Sequence, residues 1–411
     1  EKVEFDTSPV PGSPDQVDVV FDVKERPSAT ISGGVGYSAA QKFMLNGSFQ
    51  DSDFMGTGNA VALQLDSGLY NKLYSFSYTN PYLNVDQLSR TVSLSYRNST
   101  QFVSTSSNFK SQNLALGLSY GYPVTEYQRL SAGVSLQRVD LLTYQGSSAQ
   151  QAVDWVQHNG GPYTRVILNN ITLSDGTALT TSTSLFGSRF NTFEANLGWL
   201  YDSRNRGLFA DRGQRHTLGL SFVPSGKTRY YVASYDGIKY IPLVWRTTLS
   251  LGLNLAYGKG IGNTDALPPY KRFYGGGPDT IRGYTESSLG PVDSNGNPYG
   301  GNMLVAARAE LILPLPAKWQ TSARATVFFD YGNVFSNDNV KYLGRNFTTP
   351  VEYKFAYDQL RRSTGIAVQW LAPSLGVFRF SYAIPLNKFA GDAVRWPDRT
   401  ENFQFTIGGS Y

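Results

Sequence analysis

The chain has 411 residues, of which 16% are charged and 14% aromatic, with no cysteine and two histidines; this excludes disulfides and thiolate metal sites and leaves no ligand set for zinc. Mean hydropathy is -0.29, and no apolar run reaches the roughly eighteen residues that a membrane-crossing helix needs. A formal net charge of +5 is small for this length and reads as a solvated surface with some buried arginines, with no nucleic-acid partner.

Glu1 is expected to begin a mature fragment, with further domains upstream. From Gln16 to Lys24, Val17, Val19, Phe21 and Val23 alternate with polar residues, and Glu25, Arg26 and Pro27 then interrupt the pattern. Residues 1–27 therefore read as the last strand of a soluble domain, the alternative being a disordered leader.

From residue 28 onward the dominant signal has a period of two. Segments that alternate apolar with small or polar residues begin near residues 29, 43, 59, 73, 89, 112, 128, 191, 216, 229, 246, 303, 322, 363, 377 and 402, and sixteen is an even number, as bacterial single-chain barrels require. Leu249, Leu251, Leu253, Leu255 and Tyr257 alternate with Ser250, Gly252 and Asn254. Leu114, Leu116, Leu118 and Tyr120 alternate in the same way with Ala115, Gly117 and Ser119. A soluble sandwich would be left with an unfilled core by such small inner residues, whereas a wide, wet lumen accepts them. The 27 tyrosines and 24 phenylalanines suit rings at a membrane boundary. The predicted fold is all-β: a transmembrane 16-stranded antiparallel barrel over residues 28–411. Long excursions near 139–190, 258–302, 333–362 and 384–401 are expected outside the cell and short turns in the periplasm, with both chain ends on the periplasmic side.

The excursion after residue 258 contains Arg272, Phe273, Tyr274, three consecutive glycines and the run Ile281, Arg282, Gly283, Tyr284. So long a connection, rich in glycine and aromatics, suits packing inside something. A buried arginine needs carboxylates, and alternation turns Glu310 and Asp330 into the lumen. The competing reading is an external loop with a solvated arginine.

Enzyme chemistry finds little support: no GxSxG, HExxH or P-loop pattern occurs. His158 and His216 fall at opposite ends of the expected barrel. Glu194 and Asp202 could imitate a catalytic acid pair, but read as lumen carboxylates balancing Arg97, Arg308, Arg324 and Arg379. Asp293 to Asn297 resembles a calcium loop only faintly, because Pro298 stands where glycine is needed, and it reads as a turn. No metal or cofactor is expected.

Several local motifs, taken in order, resemble the barrel of the BamA-type outer-membrane assembly factors. These are Gln16 through Arg26, which is similar to the end of the last POTRA domain; Asn80, Pro81, Tyr82; Gly275, Gly276 and the tip Arg282, Gly283, Tyr284; Phe329, Asp330, Tyr331, Gly332, Asn333; and the pair Arg362 to Gly365 and Phe380 to Pro385. Tyr284 and Tyr411 stand where Phe is commoner in the family. The resemblance implies a large loop folded into the lumen, its tip arginine contacting Glu310 and Asp330. It also implies an insertase for unfolded outer-membrane proteins that works with accessory lipoproteins, membrane lipid and lipopolysaccharide, without covalent chemistry. TamA-type factors and two-partner secretion transporters share the loop motif, and a passive porin would share the strands.

Glycines interrupt both terminal strands: Gly33, Gly34 and Gly36 in the first, and Gly408 and Gly409 in the last, beside Phe403, Phe405 and Tyr411. Glycine weakens strands, so the seam where the chain ends meet is expected to part and to offer a free edge to an incoming strand. The other reading is that these glycines make room for the inserted loop.

Overall fold

The computed structural model describes residues 2–9, 12, 17–24, 27–38, 42–104, 107–144, 148–172, 178–372 and 376–407. Sixteen antiparallel strands form a closed barrel. They are β1 (Ala29–Ser38), β2 (Lys42–Asp51), β3 (Ala60–Gly68), β4 (Asn71–Asn80), β5 (Ser89–Ser104), β6 (Ser107–Thr125), β7 (Gln128–Tyr144) and β8 (Ala178–Asp202). The second half comprises β9 (Gly213–Val223), β10 (Tyr230–Pro242), β11 (Thr248–Gly260), β12 (Met303–Ile312), β13 (Ala323–Phe335), β14 (Arg361–Ala372), β15 (Gly376–Pro385) and β16 (Phe403–Ile407). Each strand pairs with its sequence neighbours, which satisfies the backbone groups that hydrocarbon cannot.

The side-chain faces follow the alternation. On β11, Leu251 and Leu253 are exposed on the outer wall while Ser250 is buried inside. On the last strand Phe403 points outward, and Gln404 and Thr406 are buried on the inner face. Among the described residues no helix is long and apolar enough to cross a membrane.

Two expectations about connections need correction. The excursion expected over 139–190 is mostly regular structure: β7 continues to Tyr144, a helix runs Gln150–His158, and strand Pro162–Thr172 pairs with the upper part of β8, which starts at Ala178. One face of these strand extensions packs under the helix, where Val139, Leu141 and Phe190 meet Trp155 and Val156, and residues 180–184 are all serine or threonine, so the alternation that marks the other strands is missing. The four long excursions all fall at one end, as expected, but the contrast between the two ends is uneven. In the first half the connections at the loop-bearing end are as short as 69–70, whereas 203–212 and 313–322 at the opposite end span ten residues each.

The long connections 261–302, 336–360 and 386–402 gather over one end. The helix is sewn into them: the Trp155 indole donates to the Ala266 carbonyl at 3.2 Å and the Gln151 amide to that of Lys341 at 3.2 Å. Separately, Lys2–Pro9 and Val17–Lys24 form an antiparallel hairpin with Phe5 opposite Phe21.

Candidate functional site in the barrel lumen

The tip of the 261–302 connection folds into the barrel. Ile281, Tyr284 and Leu289 are buried against Ala256 of β11, Leu304 and Ala306 of β12 and Val334 of β13. Small inner residues on these strands leave the space that the insertion fills.

Its tip brings together three of the residues singled out from sequence. Arg282 donates from Nε to Asp330 Oδ2 and from Nη2 to Asp330 Oδ1, both at 2.8 Å, and its backbone N–H reaches Oδ2 at 3.0 Å. The same Nη2 lies 2.8 Å from Glu310 Oε1. Arg308 approaches Asp330 at 3.5 Å, so two cations face two carboxylates. The guanidinium also sits 3.4 Å from the ring centroid of Phe328, an attraction that strengthens where water is excluded. Burial alone would weaken the hold of Arg282 on its proton, but Asp330 and Glu310 more than reverse this and keep it charged.

Gly283 has φ +86°, and a Cβ there would lie 3.1 Å from Ala383 Cβ and 3.3 Å from Pro385 Cγ. Both the left-handed backbone and the close approach to β15 require glycine. Tyr284 is fully buried, and its hydroxyl donates to the Arg362 carbonyl at 3.4 Å.

Sequence reasoning missed Gln404. Its Nε2 donates to the Tyr284 carbonyl at 2.7 Å and its Oε1 accepts from the Gly283 N–H at 3.3 Å. Immediately before β16, Thr400 and Glu401 pair antiparallel with Tyr284 and Gly283, and the Thr285 N–H reaches the Arg399 carbonyl at 3.0 Å. The signal was present: a buried amide on an inner face has donors and an acceptor to satisfy.

The remaining lumen charges take partners other than those expected. Glu194 accepts from Lys271 at 3.0 Å and from the Tyr230 hydroxyl at 3.1 Å, and Asp202 pairs with Arg204 at 2.8 Å. Arg379 pairs with Asp279 at 3.0 Å, and Arg324 donates to the Ala210 carbonyl. Insertion and turn residues, not the facing wall, supply most of these partners. Asp293 accepts from the N–H groups of Asn295 at 2.9 Å and Asn297 at 2.7 Å, as a turn does. Among the described residues no acid, cysteine and histidine cluster could hold a metal ion.

At the seam, Ile407 pairs with Tyr37. On the outer face the Tyr37 and Phe405 rings stack at 5.2 Å, with Phe43 on the far side of Tyr37 and Phe380 beyond Phe405. Carrying this register along either strand leads to residues 39–41 and 408–411, so Gly408, Gly409 and Tyr411 lie outside the described residues. A Cβ on Gly33 would have its nearest described neighbour at 3.8 Å and one on Gly34 would meet nothing within 4 Å, whereas Gly36 is buried. A Cβ at Gly33 or Gly34 would therefore not touch the insertion.

The Omp85 superfamily domain matches residues 53–411. The outer membrane protein assembly factor BamA of Neisseria meningitidis serogroup B is 29% identical over 433 residues, covering 100% of this chain and 50% of that protein. The same-named protein of Nitratidesulfovibrio vulgaris is 26% identical over 412 residues, covering 98% and 45%. The chain thus spans about half the length of these curated relatives. The crystal structure of BamA from Haemophilus ducreyi lacking POTRA domains 1-3 superposes with a TM-score of 0.77 at 25% identity, covering 99% of this chain and 75% of that one. CdiB from Acinetobacter baumannii shares the fold at TM-score 0.51 and 12% identity, covering 99% and 65%.

Proposed function

Because this chain belongs to the Omp85 superfamily, we propose that it is an insertase that assembles other β-barrel proteins into the bacterial outer membrane through the join between β1 and β16. The observation that carries the reading is the insertion locked inside the barrel by Arg282, Asp330 and Glu310. A lumen filled by a packed, ion-paired segment is ill suited to passive conduction, which argues against a porin.

The physical problem such a protein solves is severe. An unpaired backbone N–H or C=O costs several kcal/mol in hydrocarbon. A substrate strand must therefore enter already paired, and an exposed strand edge is the template that allows this. Glycines at Gly33, Gly34 and Gly36 in β1, with Gly408 and Gly409 next in sequence after β16, would make the β1–β16 join the easiest one to part. In this reading the end bearing the long loops faces outward and residues 1–27 close a periplasmic POTRA-like domain. Partners are unfolded outer-membrane proteins, accessory lipoproteins, and membrane lipid with lipopolysaccharide. Neither covalent catalysis nor a cofactor enters.

These 411 residues contain no cysteine, which leaves an introduced pair no competitor within them. Tyr37→Cys and Ile407→Cys, at directly paired positions, are joined by oxidation in the complete protein reconstituted in liposomes. Folding of an unfolded barrel substrate should stop when the bond forms and return on reduction. Full assembly with the seam bonded refutes the reading. In that case, large steady conductance points to a porin and export of a soluble passenger to a secretion transporter.

A further inference from the structure

The insertion tip is fastened to the inner wall at Asp330 and Glu310, and it is fastened a second time to the strand that closes the barrel. We infer that Gln404 is a positioning residue for the seam, holding β16 against the Gly283–Tyr284 tip and so setting where the last strand meets the first. This rests on the insertase reading for its functional meaning, though its geometry stands apart from it.

β16 is short, Phe403–Ile407, and its inner face carries two buried polar side chains, Gln404 and Thr406. Gln404 is hydrogen-bonded, whereas the Thr406 hydroxyl has no partner among the described residues. Gln404 makes two bonds to one dipeptide, the Tyr284 carbonyl at 2.7 Å and the Gly283 N–H at 3.3 Å. The approach to β16 is held by the same insertion. Thr400 and Glu401 pair with Tyr284 and Gly283, Arg399 donates to the Gly296 carbonyl at 3.0 Å, and the Trp396 indole donates to that of Ser294 at 3.2 Å. Behind β16, β15 is bound by a reciprocal pair, Ala383 N–H to the Asn402 carbonyl at 2.8 Å and the Asn402 amide to the Ala383 carbonyl at 2.9 Å.

The insertion therefore reaches the seam strand through main-chain atoms of the residues that follow Arg282. A rigid tip fixes Gln404, and Gln404 fixes the inner face of β16 one residue from Phe405, whose ring stacks on Tyr37 across the join. Releasing the amide frees the strand at the point where it must pair with β1, while the Arg282 lock and the rest of the barrel are untouched.

The test labels Tyr37→Cys and Ile407→Cys with nitroxides in the complete protein and reads the distance distribution by pulsed electron resonance, alongside the assembly rate of a barrel substrate. With Gln404 present the distribution should be narrow. Gln404→Ala should broaden it and shift it to longer distances and should slow assembly. Gln404→Glu keeps the acceptor for Gly283 but loses the donor for Tyr284, and should fall between. Thr406→Val, on the same face, should change nothing. Heat-modifiable gel mobility certifies folding, and Gln404→Glu carries the test should the alanine variant fail to fold. An unchanged distribution in a folded Gln404 variant overturns the inference. Broadening in a protein that inserts no substrate upholds the brace and sinks the insertase reading.

Discussion

Arg282 and Asp330 meet through three donors on one residue and both oxygens of the other: Nε and the backbone N–H converge on Oδ2 while Nη2 takes Oδ1. The carboxylate is fully buried, and Arg308 at 3.5 Å is its other cation. Removing one partner of such a pair strands the other charge in a low dielectric, at a cost of about 3–5 kcal/mol. Arg282→Ala should therefore lower the urea midpoint of the barrel, followed by heat-modifiable gel mobility. Arg282→Lys should recover part of the loss, because a point charge cannot form the two-pronged contact. An unchanged midpoint for the alanine variant would mean that Arg308 alone satisfies Asp330.

Gly283 offers a sharper test of the same tip, since it bears no charge. Its φ of +86° and a Cβ only 3.1 Å from that of Ala383 make Gly283→Ala strained in backbone and contact alike, at about 1–3 kcal/mol. Gly34→Ala, in a strand conformation with nothing within 4 Å, should by contrast be neutral or slightly stabilising. The two urea midpoints, measured side by side, separate a glycine required by shape from one that only lowers strand propensity. Equal effects would contradict that distinction.

The strands were legible because lipid and water impose opposite demands on alternate residues, so each lipid-facing stretch announces itself. The first part of β8 escaped notice because residues 180–184 are all serine or threonine and Phe190 packs inward with Val139, Leu141 and Trp155. The helix Gln150–His158 carried its own signal in Ala152, Val153 and Val156, which are buried on one side. The Arg282 network was readable since alternation dictates which acids face inward and a buried cation must find them. The partners of Glu194 and Asp202 were not, because Lys271 and Arg204 sit in connections, where no period fixes a side chain's direction. Alternation puts Gln404 on the inner face, but its partner is a main chain, and no sequence pattern marks which backbone atoms will approach.

The loop dome has its own buried ion pair. Arg272 and Asp338 are in contact with side chains 0% and 1% exposed, and the Tyr299 ring centroid lies 4.3 Å from the guanidinium. Burial opposes the charge on Arg272, but Tyr299, Tyr342 and Asp338 outweigh it, so the cation persists at every accessible pH. Asp338→Asn should therefore leave a buried, unmatched charge and open the dome without unfolding the strands beneath it. Limited proteolysis in detergent should cut within 336–360 much faster in the variant while the barrel's urea midpoint stays close to that of the parent. Cleavage at the parental rate would show that neighbouring hydroxyls suffice.

The connection leading into β16 supplies a pH-dependent element. The Asp392 carboxylate accepts from the N–H groups of Arg395 and Val394, at 2.5 and 2.8 Å, and from the Arg395 side chain at 3.3 Å. These bonds hold its pKa below the ordinary carboxylate value. A depressed folded pKa means the turn's contribution is complete above the unfolded value of about 3.9 and is lost as pH falls through the lower folded one. The turn should thus be intact at neutral pH and should loosen only in acid. Because Val394 packs on the cluster of Tyr299 and Tyr342 and its carbonyl accepts from the Arg345 N–H at 2.8 Å, loosening should spread to the dome. Amide resonances of Val394 and Arg395, followed by nuclear magnetic resonance in detergent, should titrate with a midpoint below about 3.9, and Asp392→Asn should abolish that titration. A midpoint at or above that value would place the carboxylate outside the turn.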